Sequence, residues 1–310
     1  MLEAVNLSKC YKKNAVVKNI NLYLEKGETV GLLGPNGAGK STTISMLSSL
    51  IPPTEGDVRV HGDSILQNPA KIRNILGVVP QEIAVYTDLT ARENLALFGK
   101  INLIPKKILK DRIEDVLEVT GLEERANDKV KTYSGGMKRR LNIGIALLHE
   151  PELVIMDEPT VGIDPQSRNF ILEAVKRLNE EKNITVLYTS HYMEEIEYLC
   201  DRIYIMDHGE IIASGTKEEI KNILSAEQTI SIKVEVLKGA FLDKLAKHPS
   251  VKKISTQEPL LTLIVPKQVS ILKDIFKAAE ETDTIITSIQ AESPTLEDVF
   301  LHLTGRKLRD

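Results

Sequence analysis

Between an apolar run and a helix-like one the chain carries Gly34-Pro35-Asn36-Gly37-Ala38-Gly39-Lys40-Ser41. This is the spacing G-x-x-x-x-G-K-[ST] with no substitution. Glycines let successive backbone N–H groups turn inward around an anion, in conformations that side chains would block. A helix opening near Lys40 would add its unpaired N–H groups and the positive end of its dipole. Lys40 supplies a point charge suited to β- and γ-phosphates, and Ser41 offers a hydroxyl to Mg2+. With Thr42, these residues form an expected cradle for a nucleoside triphosphate.

The complementary half of such chemistry is a carboxylate, and Asp157 and Glu158 follow the apolar run Leu153–Met156. An acid at the end of a buried strand suits the magnesium side of phosphoryl transfer. Side chains alternate along a strand, so Glu158 can point elsewhere and polarise an attacking water. An Asp-Glu pair can also merely open a loop. The strand before it and the glycine-rich turn upstream favour the chemical reading.

These groups need a scaffold. Glu28 to Gly34 reads as a strand feeding the turn, and Lys40 to Ile51 has helical spacing, with Ile44, Leu47 and Ile51 on one face. Pro52 and Pro53 then stop the helix. Leu153–Asp157 and Ile184–His191 read as buried parallel strands, with an amphipathic helix over Arg168–Glu181 between them. Functional residues at strand C-termini are the arrangement in which α/β folds bind ligands. Arg202–Gly215 reads as a hairpin, and about Thr90 to Lys131 as a charged helical insertion. From about Glu227 the order becomes β-α-β-β-α-β, a ferredoxin-like pattern, and Pro294–Gly305 closes as a capped helix. The expected division is 1–226, with a helical subdomain over about 82–150, and 227–310.

The bulk properties agree with a globular chain of about two domains. There are 310 residues, 42% hydrophobic and 27% charged, with a formal net charge of −4 and a pI near 6.0. That balance argues mildly against a nucleic-acid partner. Cys10 and Cys200 lie far apart, match no ligand spacing and read as free thiols in a reduced compartment. No apolar run has bilayer-spanning length, and Met1–Lys13 lacks a signal-peptide pattern. Service to a membrane is therefore expected from the cytoplasmic face, through a partner.

From residue 1 to about 220 the chain resembles an ABC-transporter ATPase. The resemblance is carried by the phosphate cradle, by "YSGGMKRRLNIGIALL" with Ser134, Gly135 and Gly136, by Asp157-Glu158, by "EPTVGIDP" with Asp164, and by His191 after its strand. It implies an α/β P-loop NTPase: a RecA-like core with an antiparallel β subdomain and a helical insertion, plus the small α+β C-terminal domain. It also implies ATP and Mg2+ as ligands. Ser41, Asp157 and Gln81 would serve the metal, Glu158 the water and His191 the γ-phosphate. Gln81 would also contact the lytic water, and Tyr11 would stack on adenine; a half-buried strand aromatic is the plainer alternative for Tyr11.

The signature reads "YSGGM" where the family's commonest form is "LSGGQ". Together with "EPTVGIDPQSR" and "PTLEDVFLHLTG", it is similar to ATP-binding subunits of bacterial ABC-2-type exporters of the daunorubicin-resistance, linearmycin-resistance and sodium-export groups. That implies two chains packed head to tail, with ATP between one cradle and the Ser134–Gly136 loop of the other. It further implies a separate integral-membrane ABC-2-type permease and efflux of an antibiotic or other amphiphile. Residues Gln81–Lys100, with apolar Ile83, Val85 and Tyr86, either pack into the helical insertion or receive a permease helix. A soluble ABC protein acting on DNA or ribosomes fits less well, because the chain has one cassette and is acidic. A nucleotide-gated switch without transport remains compatible with the sequence.

Overall fold

A computed structural model describes residues 1–224, 227–257, 259–266, 270–292 and 294–305. Among the described residues the chain divides into two compact units, Met1–Lys217 with 303–305, and Glu218–His302. The division expected after Ala226 falls at a residue outside those described.

The first unit is built on a six-stranded sheet in the order Glu210–Thr216, Arg202–Asp207, Thr29–Leu33, Thr185–Tyr188, Leu153–Met156, Leu76–Val79. The inner pairings are parallel and the outermost hairpin, Arg202–Asp207 with Glu210–Thr216, is antiparallel. Thr29–Leu33, Leu153–Met156 and Thr185–Tyr188 are buried at every position. Their continuous apolar runs fit strands covered on both faces. A second, antiparallel sheet orders Asn14–Leu24, Leu2–Tyr11, Glu55–Val60 and Asp63–Ser64. Leu2, Leu7, Ile20 and Leu24 from it share one core with Met46, Leu47, Ile155 and Tyr204. Cys10 is exposed on this sheet, whereas Cys200 is buried, and burial pushes its thiol far up.

The helix after the glycine-rich turn runs Lys40–Leu47, four residues shorter than expected. The Ser48 hydroxyl donates to the Ile44 carbonyl at 2.8 Å, and Ser49 adopts φ 57. The amides of Leu50 and Ile51 then fold back on the Ser45 carbonyl. Ile44 and Leu47 remain on the buried face, and Ile51 does not continue it. Hydroxyl side chains that satisfy a helix carbonyl compete with further turns.

The helical part contains Ala91–Ile101, Lys106–Thr120 and Gly135–Leu147. A capping box starts the first of these: Thr90 Oγ1 accepts from the Glu93 amide at 3.1 Å, and Glu93 Oε2 accepts from the Thr90 amide at 2.8 Å. Pro165–Lys182 follows the Leu153–Met156 strand.

The second unit is a four-stranded antiparallel sheet in the order Lys253–Gln257, Leu260–Pro266, Glu227–Val234, Ile286–Glu292. Helices Gly239–Ala246 and Leu272–Glu281 complete the β-α-β-β-α-β order, and Ile232, Phe241, Leu263 and Ile275 centre its core. Residues 267–269, ahead of the second helix, lie outside those described; the helix begins at Leu272. Thr295 and Asp298 cap Leu296–Thr304 by mutual hydrogen bonds.

Candidate active site

The C-terminal ends of three neighbouring strands converge on one cleft. Thr29–Leu33 leads into the glycine-rich turn, Leu153–Met156 into Asp157 and Glu158, and Thr185–Tyr188 into Thr189, Ser190 and His191. The cleft has a volume of about 230 Å3 and is lined by Asn36 through Thr42, with Val16, Gln81, Glu158 and His191. A larger groove of about 590 Å3 is lined by aliphatics such as Val116, Leu147 and Leu178 together with charged residues such as Arg112, Asp115 and Lys182. It gathers none of the convergent polar groups of the small cleft.

The turn is shaped to bind an anion. Gly37 and Gly39 take φ 80 and φ 105, values that side chains rarely adopt. A Cβ on Gly37 would meet nothing within 4 Å, so its face is open. Gly39 caps the first turn of Lys40–Leu47, whose leading N–H groups have no partner within the helix, and Gly39 through Thr42 line the cleft. Lys40 is buried, and its Nζ donates to the Gly34 carbonyl at 2.6 Å and the Pro35 carbonyl at 3.3 Å. Burial pulls its pKa below the ordinary lysine value, against the opposing pull of Glu158 and Asp157. A buried ammonium amid carbonyls and open amides is complementary to phosphate oxygens.

The two acids are held differently. Asp157 accepts from Thr189 Oγ1 at 2.9 Å. Burial raises its pKa, opposed by hydrogen bonds from Thr189 and Ser41 and by Lys40. Glu158 sits at φ 48 and is buried. Its Oε1 accepts from His191 Nε2 at 2.6 Å and its Oε2 from Gln81 Nε2 at 2.8 Å. Burial pushes the Glu158 carboxyl up, but the His191 hydrogen bond and the charges of His191 and Lys40 outweigh it, so the net shift is downward. The pair is thus split: one acid shifted up beside Ser41, one held as carboxylate beside a histidine.

The residues also fit a hard divalent cation. The Ser41 hydroxyl lies within hydrogen-bond reach of the Asp157 carboxylate, an all-oxygen donor set on a carboxylate whose charge is poorly solvated. Among the described residues, no cluster of three or more His, Cys, Asp or Glu could hold an ion by itself.

Two groups at the site carry no signal in the motifs. Thr189 is fully buried; besides donating to Asp157, its Oγ1 accepts from the Glu158 amide at 2.9 Å, so one hydroxyl sets the spacing of both acids. Its only trace in the sequence is a hydroxyl at the end of an apolar strand run. Arg139, buried on the Gly135–Leu147 helix, donates to the Pro80 carbonyl at 2.7 Å and the Gln81 carbonyl at 2.5 Å. It reads in sequence as one of several surface-type cations.

The remaining expected residues lie outside the cleft lining. Ser134 caps the Gly135–Leu147 helix by accepting from the Met137 amide at 3.2 Å. A Cβ on Gly136 would lie 2.0 Å from Ser167 Oγ and 3.2 Å from Asp164 Oδ2, so only glycine permits this approach. Asp164 caps Pro165–Lys182 by accepting from the Ser167 amide at 2.9 Å, a bond that also holds its pKa down. Tyr11 is half exposed at the end of Leu2–Tyr11, with Lys9 Nζ 5.4 Å from its ring centre. Ile83 and Tyr86 are exposed, while Val85 is half-buried.

Residues 17–161 match the family model described as ABC transporter. Over its whole length the chain is 50% identical to the linearmycin resistance ATP-binding protein LnrL of Bacillus subtilis, likewise over that protein's whole length. The chain belongs to the ABC transporter ATP-binding proteins. Residues 215–304 match a second family model, the C-terminal domain of DrrA1-3-like ATP-binding proteins. The daunorubicin resistance ATP-binding protein DrrA3 of Streptomyces coeruleorubidus is 33% identical, over 96% of this chain and 93% of that one. Among solved structures, the dimeric ATP-binding cassette MJ0796 in a post-hydrolysis state with ADP and Pi superposes with a TM-score of 0.63. It is 29% identical, over 70% of this chain and 98% of that chain. As a member of this family the chain is an ATPase that binds ATP. Among the described residues no helix is long and apolar enough to cross a membrane.

Proposed function

We propose that this ABC ATPase powers efflux of an antibiotic or other amphiphilic compound. It would act from the cytoplasmic face of the membrane, through a separate ABC-2-type permease. The cargo class is supported by the relatives named for linearmycin and daunorubicin resistance. The observation that carries the catalytic part is the Glu158 carboxylate, held by His191 and Gln81 at the mouth of the Lys40 cradle.

In this reading the cradle Gly34–Thr42 grips the triphosphate by backbone amides and Lys40, with Tyr11 against the adenine. Ser41, Asp157 and Gln81 would hold Mg2+, which when bound supplies charge neutralisation at the phosphates. Glu158 takes a proton from water as the water oxygen bonds to the γ-phosphorus and the bond to ADP breaks. His191 keeps Glu158 ionised and supports the γ-phosphate. Ser134, Gly135 and Gly136 of a second copy, packed head to tail, close over the same ATP. Both surfaces are helix N-termini seeking one anion, so ATP shifts the population towards the dimer. Residues 1–226, with the helical subdomain over about 82–150, act as the cassette, and 227–310 as an accessory domain. Exposed Ile83 and Tyr86 offer apolar contact to the permease. The net charge of −4 argues mildly against a nucleic-acid partner.

The test is Glu158→Gln. It should lower ATP turnover by at least about a hundredfold, retain ATP and move the chain to dimer in sizing experiments. Parental turnover in this variant sinks the assignment of the base.

A further inference from the structure

One carboxylate outside the cleft is more enclosed than those within it. Glu195 lies on Met193–Leu199 and has no exposed surface. Its Oε2 accepts from Ser190 Oγ at 2.6 Å, from Thr160 Oγ1 at 2.9 Å and from the Tyr188 hydroxyl at 2.9 Å. Its Oε1 accepts from Arg168 Nε at 2.6 Å. A fully buried carboxylate is costly unless its oxygens are satisfied, and here four separate groups satisfy them.

The donors come from places that matter to the site. Thr160 stands two residues after Glu158. Ser190 precedes His191, and its Oγ also accepts from the Tyr192 amide at 2.9 Å, so it braces both sides of that histidine. Arg168 lies on the helix capped by Asp164 and sits 4.0 Å over the Tyr192 ring. The His191–Glu158 pair is therefore tied at both of its backbone supports to one buried anion. The same anion is ion-paired to the helix that starts at Asp164.

We propose that Glu195 is a positioning residue for hydrolysis, holding His191 and Glu158 in register with the Asp164 helix. The inference rests on the roles given above to Glu158 and His191. Glu195 does no chemistry; it acts through His191. Loss of its bracing should slow turnover and leave ATP binding largely intact, because none of its partners lines the phosphate cradle.

Removing one partner of a buried ion pair can unfold a protein, so the decisive variant is Ser190→Ala, which keeps Glu195 and Arg168 together. In the full-length chain it should lower kcat about tenfold, the scale for partners that orient a reacting group. The KM for ATP should stay within about twofold, as expected when ground-state binding is untouched. In a His191→Ala background the same change should cost nothing more, since the group it positions is gone. Glu195→Gln, checked for folding by thermal melting, should show the same split with a larger fall in kcat. Parental kcat in Ser190→Ala, or a full additional loss on top of His191→Ala, overturns the inference. A parental chain without ATPase activity, or His191→Ala at parental rate, defeats instead the assignment of the site itself.

Discussion

Gln81 and Glu158, 77 residues apart in the chain, meet in a side-chain hydrogen bond of 2.8 Å. With His191 on the other oxygen, both Glu158 oxygens are engaged, so a water to be activated must share one of them. The Gln81 amide is the more exposed of the two partners, and it is the one able to yield.

Gln81→Ala should therefore reduce kcat by about ten- to a hundredfold, the usual loss when an orienting partner of a catalytic group is removed. ATP binding, followed by a fluorescent nucleotide, should change far less than turnover. Equal losses in both would mean that Gln81 serves binding alone.

The two acids should respond oppositely to pH. Asp157 is raised above its ordinary 3.8 by burial. The folded chain thus binds that proton more tightly than the unfolded chain, and stability from this group is lost as pH rises through the folded pKa. Asp157→Asn should raise Tm at pH 7 by about 1–3 °C, with the gain shrinking towards pH 4, while turnover collapses. Glu158, lowered from 4.5, contributes stability above that value and loses it as pH falls through the folded pKa. Melting curves from about pH 2.5 to 8 read both signs; a neutral-pH loss in Asp157→Asn contradicts the burial argument.

Arg139→Met should destabilise the chain by about 1–3 kcal/mol, because two partly buried carbonyls lose charged donors. Arg139→Lys should not restore it, since one ammonium lacks the planar fork that reaches both carbonyls. Denaturant unfolding of the three proteins measures this, and full rescue by lysine would count against a bidentate role.

Much of the site is legible in the sequence itself. Gly34–Ser41 declares its ligand because the backbone geometry it requires excludes most side chains. The strands ending at Asp157 and His191 declare themselves by unbroken apolar runs. Thr189 and Arg139 do not, because their importance comes from tertiary neighbours: a hydroxyl between two acids and a guanidinium reaching carbonyls about 58 residues away. Glu195 hides for the same reason. In sequence it sits among Glu194 and Glu197, all plausible solvent-facing helix charges, and only folding shows that one of them is sealed inside. The early end of the Lys40–Leu47 helix was equally illegible, since apolar spacing continued to Ile51 while serine hydroxyls had already taken the backbone carbonyls.

The two cysteines have a practical consequence. Cys200 is sealed in and its thiol resists ionisation, while Cys10 faces solvent on the residue next to Tyr11. The native chain thus carries one addressable sulfur, beside the ring assigned to the nucleobase. A maleimide dye can be placed there without engineering the protein, giving an optical handle on the adenine end of the site.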